Sequence, residues 1–224
     1  MRRVIWSVMS SLDGYSAAPG TGFETIDWFR ADEEWLEYSV ELLDQAETLL
    51  FGGLTFAGME QYWPSAEGPV ADRMNALDKV GFSHTARETA WPNARVDTDP
   101  VASVGELRRG DGGAAVLMGS ANLAGTLSAH GLIDEYRFAV NPVLLGGGTP
   151  VALAGSARSE LDLADTRVFG RASSRCAASR GDSREPAISY PVTRLGSGPR
   201  SASSGLPSGL PSPVVTRFGR LSRR

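Results

Sequence analysis

The stretch VLMGSANLAGTL, residues 116–127, decides the fold. Its first three residues are apolar without a polar break, as a strand buried on both faces requires. They end abruptly at Gly119-Ser120, and an alternation of small and apolar residues follows, of the kind helices use. A buried strand therefore runs straight into a helix N-terminus through a glycine. Free backbone N–H groups and the helix dipole favour an anion there, and Gly119 lets a ligand approach the main chain. Ser120 stands at the N-cap position, where a hydroxyl can satisfy a free N–H. Two readings stay open on spacing alone: a phosphate-binding junction, or only a tight turn and a cap. The pattern is not GxGxxG, and no acidic residue of the usual Rossmann kind follows.

Similar junctions lie elsewhere in the chain. The run Thr48-Leu49-Leu50-Phe51 enters Gly52-Gly53-Leu54-Thr55, again a buried strand, a turn and a helix start with a hydroxyl in reach. Two such junctions can grip two ends of a dinucleotide. A third polar strand end, Ser83-His84-Thr85-Ala86-Arg87, offers hydroxyls and positive charge. Periodicity and breakers predict strands over 3–9, 48–51, 79–83, 93–96 (a short edge strand), 114–118, 135–145 (bent at Asn141-Pro142) and 161–169. They predict helices over 32–43, 55–62, 70–77, 101–109 and 120–130. Strands alternating with helices imply a three-layer α/β domain with a mixed, mostly parallel sheet flanked by helices.

The 224 residues suffice for one good-sized domain, and 42% hydrophobic content is ordinary for a chain with a core. No stretch approaches eighteen uncharged apolar residues, and the N-terminal apolar run breaks at Ser10, Ser11 and Asp13, so neither a membrane span nor a signal peptide is expected. The single cysteine, Cys176, cannot close an intramolecular disulfide. A cytoplasmic protein is the expectation. His84 and His130 lack partners at metal-ligand spacing. Trp28, Trp35, Trp63 and Trp91 read as core or pocket wall.

The net charge of −4 hides a division: residues 1–170 carry a net −12 and residues 171–224 a net +8. An acidic body with a basic tail suggests a nucleic-acid arm. Against it, the tail holds one Tyr and one Phe, without aromatic interleaving or a recognisable binding fold. Its 54 residues include 12 Ser, 6 Pro and 6 Gly against 9 Leu, Ile, Val and Phe, too few to bury a core. The expectation is a domain over 1–170 and a disordered tail over 171–224.

Together, SVMSSLDGYSA (7–17), LLFGGLTFAGMEQYWP (49–64), MNALDKVGFSHT (74–85), VLMGSANLAGTLSAHGLIDEYRFAVNPVLLGGGTP (116–150) and LDLADTRVF (161–169) give a resemblance. The chain resembles the dihydrofolate reductase superfamily, in the branch similar to the C-terminal reductase domain of bacterial riboflavin biosynthesis. The resemblance implies NADPH as hydride donor and often a homodimer; the expected substrate is small and heteroaromatic, of pterin or pyrimidine type, or carbonyl-like. It places Gly119, Ser120, Asn122 and Leu123 at the cofactor pyrophosphate, with Gly52 and Thr55 at the same phosphates from the other side. It places Ser83, His84 and Thr85 near the adenosine 2′-phosphate and Ala17 beside the nicotinamide. Asp13 and the loop of Gly146, Gly147 and Gly148 would border the substrate pocket.

The chain departs from that pattern. The family often has Gly-Arg-x-Thr where this chain has Gly52-Gly53-Leu54-Thr55, and arginine is frequent at the position of His84. NADH is therefore possible beside NADPH, and introducing arginine at Gly53 is expected to raise the preference for NADPH. No counterpart of the protonating carboxylate of folate reductases stands out; Asp27, Asp32 and Glu33 are near in sequence, but acids at a helix start read first as dipole partners. Besides a reductase, the residues admit a nucleotide-binding protein of the same fold with impaired turnover.

The family usually follows the DTRVF strand with an antiparallel strand of Gly-Val-Val type. Here residues 170–177 read GRASSRCA. One GC-rich coding of them, GGG CGG GCG TCG TCC CGT TGC GCC, read from its third base gives Ala-Gly-Val-Val-Pro-Leu-Arg. A GC-rich gene agrees with a single lysine, Lys79, against 21 arginines. A frameshift near Phe169-Gly170 is the expectation, with a genuine extension as the alternative.

Overall fold

The computed structural model describes residues 1–20, 23–29, 31–85, 88–151 and 160–169, and the backbone of a strand over 173–180. The strands are β1 (Val4–Ser11), β2 (Tyr15–Ala17), β3 (Ala46–Gly52), β4 (Asp78–Phe82), β5 (Ala94–Asp97), β6 (Ala114–Met118), β7 (Glu135–Asn141), β8 (Thr149–Pro150), β9 (Leu161–Phe169) and β10 (Ser173–Arg180). The helices are α1 (Glu33–Asp44), α2 (Gly53–Tyr62), α3 (Pro69–Ala76), α4 (Pro100–Arg109) and α5 (Ala121–Ala129), with 3-10 turns at Phe23–Ile26 and Trp63–Ser65. The main sheet has eight strands in the order β5-β4-β3-β6-β1-β7-β10-β9. The first six run parallel, and β10 is antiparallel to both β7 and β9.

The layers follow from alternation within each strand. Val4, Trp6, Leu50 and Leu117 pack on one face with Val104 of α4 and Leu123 and Leu127 of α5. Their chain neighbours Ile5, Leu49, Phe51 and Val116 pack on the other face with Tyr38 and Leu43 of α1, Phe56 of α2 and Met74 of α3. Strands buried on both faces read as unbroken apolar runs, which is why TLLF and AAVLM have no period of two. Helix starts follow local chemistry. Asp32 caps α1 by accepting from Trp35 N at 2.9 Å, so it serves the helix start as its position suggested. Asp99 caps α4 at Ala102 N, 3.0 Å, ahead of Pro100.

Lys79 is 1% exposed. Its ammonium donates to the carbonyls of Met74, Asn75 and Leu77, closing the C-terminal end of α3, and lies 4.9 Å from the Trp91 ring centroid. Burial pushes it down to about 8, against the attraction of Asp78.

Two expectations are corrected. The strand expected over 135–145 stops at Asn141, where the ladder with β1 ends at Ser11↔Asn141. Pro142 supplies no N–H to continue a ladder. The second correction concerns the tail expected to be disordered from 171. Residues 173–180 form β10, inserted between β7 and β9, and Cys176 is in register with Phe138 and Thr166. The first compact unit accordingly runs Met1–Ser183, and the second, Arg184–Arg224, lies wholly outside the described residues.

β10 is an interior strand with the sequence SSRCAASR. Its Ser174, Cys176 and Ala178 stand in register with Val140, Phe138 and Tyr136 of β7. Interior strands favour β-branched and aromatic residues, and small polar ones forgo the cross-strand contacts that stabilise a sheet. On β9, Phe169 is fully buried against Trp35 and Tyr38 of α1, while Leu163 and Val168 are 68% and 71% exposed. The frameshift expectation is checked by the nucleotide sequence around codon 170. The shifted frame should encode an apolar strand, and a chain rebuilt in that frame should melt several degrees higher. A shifted frame without such a strand would make β10 the native sequence.

Candidate functional site

In a parallel sheet the turns after each strand gather along one edge, at the carboxyl ends, where ligands of open α/β sheets bind. Three turns meet there: Gly52-Gly53 after β3, Ser83 after β4 and Gly119-Ser120 after β6. Gly119 N donates to Ser7 O at 2.9 Å and Gly119 O accepts from Trp6 Nε1 at 2.8 Å, so β1 holds this residue on both sides. Gly119 and Ser120 are both left-handed, with φ 62° and 51°. For the non-glycine residue this costs about 1–2 kcal/mol, and its side chain shows what offsets it.

Ser120 does not cap its own helix, contrary to the sequence expectation. The left-handed backbone turns its side chain sideways, across to the junction after β3. Ser120 Oγ accepts from Gly52 N at 2.8 Å and donates to Thr55 Oγ1 at 2.9 Å. One hydroxyl thus joins the N-terminus of α2, on one face of the sheet, to that of α5, on the other. Sequence reasoning found both junctions and missed this bond, because the two residues are 65 apart in the chain.

The glycines mark close approaches. A Cβ on Gly52 would sit 3.0 Å from Ser120 Oγ, and one on Gly53 would sit 3.2 Å from Phe82 O and 3.3 Å from Ser83 Oγ. A side chain at Gly53 would make the end of β4 give by a few tenths of an ångström. Gly53→Arg would therefore crowd β4 as well as add charge. A Cβ on Gly119 would meet only Thr55 Cγ2, at 3.8 Å, so space opens in front of the α5 N-terminus. Asn122 is exposed on the first turn of α5, whereas Leu123 is buried in the core and packs behind Gly52. Only the main chain of Leu123 is placed to serve a ligand. Ser83 Oγ accepts from Thr85 N at 3.2 Å, and His84 and Thr85 are exposed. Arg87 lies outside the described residues.

Further along the same edge, residues 12–18 and 143–151 are joined. Leu12 N donates to Val143 O, Val151 N donates to Gly14 O, and β2 pairs with β8, bringing Ala17 opposite Thr149. Gly148 is indispensable at its place, since a Cβ would lie 2.0 Å from Ala17 O. Gly147 lies against Pro19. Asp13 pins the assembly: its carboxylate accepts from Ser11 Oγ at 2.6 Å, from Gly146 N at 2.8 Å and from Leu145 N at 3.1 Å. These donors hold the Asp13 carboxyl down to about 2, with Ser11 first and Gly146 next. Asp13 is thus ionised at neutral pH and organises the loop; it has no proton to give. Asp27 is exposed, and among the described residues no cluster of His, Cys, Asp and Glu forms a metal site. No helix among them is long and apolar enough to cross a membrane.

The RibD C-terminal domain model matches residues 2–173. The chain belongs to the RibD C-terminal domain family. YyaP, an uncharacterized protein of Bacillus subtilis strain 168, is 30% identical over 173 residues, which is 75% of this chain and 89% of YyaP. A crystal structure of a Shewanella sp. PV-4 protein that bears a provisional riboflavin-biosynthesis name superposes with a TM-score of 0.62 at 18% identity, over 81% of this chain and 99% of that one. A pyrimidine reductase-like protein from Corynebacterium diphtheriae superposes with a TM-score of 0.59 at 11% identity, over 80% and 92%. At these identities the two structures establish the fold, which is that of the dihydrofolate reductase superfamily.

The Asp13 pin carries a prediction. Asn at 13 offers one acceptor oxygen where the carboxylate offers two, and turns an NH2 group toward N–H donors. Hydrogen exchange at the Leu145 and Gly146 amides should quicken at least tenfold in Asp13→Asn. The folded-state value is lowered, so the stabilisation is present at neutral pH and is lost as pH falls from the ordinary carboxylate range through about 2. The wild-type loop should loosen only in that acid window; unchanged exchange in the variant would remove Asp13 from this role.

Proposed function

We propose that the protein is an NADPH-dependent reductase of a small heteroaromatic substrate, pterin- or pyrimidine-like. The observation that carries this reading is the pair of helix N-termini, α2 and α5, meeting at one strand edge in a member of the RibD C-terminal domain family. The space in front of Gly119 suits a diphosphate approaching the main chain. Gly119, Ser120, Asn122 and the Leu123 main chain would hold it from α5, and Gly52 and Thr55 from α2. Ser83, His84 and Thr85 would receive the adenosine end, and Ala17, on the strand pair β2–β8, would flank the nicotinamide.

When bound, the dinucleotide supplies the hydride. The chain's own residues position and enclose: Asp13 fixes the Gly146–Gly147 loop at the border of the substrate pocket, and the proton comes from water, since Asp13 has none to give. The same lack of a side-chain acid favours the second reading, a nucleotide-binding protein with impaired turnover. NADPH quenching of tryptophan fluorescence tests binding, and NADPH oxidation against a panel of pterins and pyrimidinones tests turnover. Binding with no oxidation across the panel would select the second reading; no binding would reject both.

Gly119→Asn tolerates a positive φ better than other side chains and fills the space in front of the helix. It should weaken NADPH binding at least about tenfold, roughly 1.4 kcal/mol, in a chain that stays folded. A 2′-phosphate is best met by arginine, which neither Gly53 nor His84 supplies. The NADPH and NADH dissociation constants should therefore lie within about tenfold of each other. Because His84 is exposed, His84→Arg should widen the ratio in favour of NADPH without displacing β4. An unchanged ratio would move the 2′-phosphate away from residues 83–85.

The partner in this reading is a second copy of the chain. The exposed Leu161, Leu163 and Val168 on β9, an edge strand, support it. Light scattering should give twice the chain mass, and Leu163→Glu should give the single mass; a wild-type monomer would reject the pairing.

A further inference from the structure

We infer that Ser120 is a positioning residue whose hydroxyl orients Thr55 toward the ligand, through a directional chain of hydrogen bonds that begins at the Gly52 amide. This rests on the dinucleotide reading above and assigns a role that the anion-binding helix ends alone do not supply.

The chain of bonds has one direction, Gly52 to Ser120 to Thr55. Gly52 N–H can only donate, and it donates to Ser120 Oγ at 2.8 Å. Ser120 in turn gives its own proton to Thr55 Oγ1 at 2.9 Å. With that oxygen accepting from Ser120, the Thr55 hydroxyl proton must point elsewhere. Among the described residues no acceptor takes it, although Ser39 and Thr126, elsewhere on helices, each give theirs to the carbonyl four residues back. Thr55 lies in the first turn of α2, on the carboxyl edge of the sheet, where its remaining proton is available to a phosphate oxygen. Each bond polarises the next, so the terminal hydroxyl is a better donor than a free threonine.

The backbone of Ser120 agrees with this role. A serine whose task was to cap α5 would sit in the extended region and accept from its own helix. Ser120 instead holds φ 51°, ψ 61°, and its side chain makes no bond to its helix. The conformation that forfeits the cap is the one that reaches Gly52 and Thr55. The same hydroxyl fixes the distance between the two helix ends, and so the span that a diphosphate must fit.

The test is a double-mutant cycle on NADPH affinity, read by tryptophan fluorescence in the full chain. Ser120→Gly keeps the left-handed backbone without strain and removes only the hydroxyl. Thr55→Val keeps the shape and removes the last donor. Each should weaken NADPH at least about tenfold, and the double variant should be no more than about threefold worse than the weaker single, because both break one chain. Thr55→Ser, which retains the hydroxyl, should stay within about threefold of wild type. Melting temperatures report that the variants are folded. Losses that multiply in the double variant, or a Thr55→Ser variant as weak as Thr55→Val, would overturn the inference. Wild-type protein that does not bind NADPH would instead overturn the dinucleotide reading itself, before any variant is compared.

Discussion

A parallel strand buried on both faces must leave the sheet at its carboxyl end and return to the amino end through a crossover. Six strands of this chain obey that constraint, and the rest of the architecture depends on it. It puts α1, α2 and α3 on one face and α4 and α5 on the other. It also collects the turns after β1, β3, β4, β6 and β7 along a single edge. The glycines, hydroxyls and the Asp13 carboxylate that carry the proposed chemistry lie on those turns because that edge is where the chain has exposed main chain to offer.

Along the edge, hydrogen bonds convert separate turns into two rigid pieces. On one side Ser120 fastens the α5 N-terminus to that of α2. On the other, Asp13 fastens the Gly146 loop to the end of β1. Both use a side chain with several acceptor or donor sites to satisfy backbone groups that a turn leaves free. The junction tolerates the left-handed Ser120 because its surroundings over-determine it: the preceding Gly119 is held by Ser7 and Trp6, and the Ser120 side chain by Gly52 and Thr55.

The far side of the sheet follows a different logic. β9 and β10 continue it past β7, yet β10 has a sequence suited to a surface loop. A strand between two neighbours has its main chain satisfied on both edges whatever its side chains are, so ladder geometry can hold for a sequence of small polar residues. That is why reading the tail by composition led to disorder, while the position of residues 173–180 beside two long strands led to pairing.

Much of the fold was legible in the sequence. Buried runs such as AAVLM and TLLF, helix-starting Asp32 and Asp99, and Gly110 and Gly131 after helices are local signals, since each acts within a few residues of itself. They determined the five helices and the seven longer strands up to Phe169 and their order, though not the short β2 and β8, and they marked the strand-to-helix junctions at Gly52 and Gly119. Tertiary structure alone decided what those junctions do together. That Gly53 is crowded by Phe82 O, that Leu123 belongs to the core, that Ser120 serves another helix and that Asp13 is spent on a loop more than a hundred residues away are facts about spatial neighbours. A hydroxyl or carboxylate reads the same in sequence whether it caps, bridges or reacts. Only the fold brings to it the donor that selects among them.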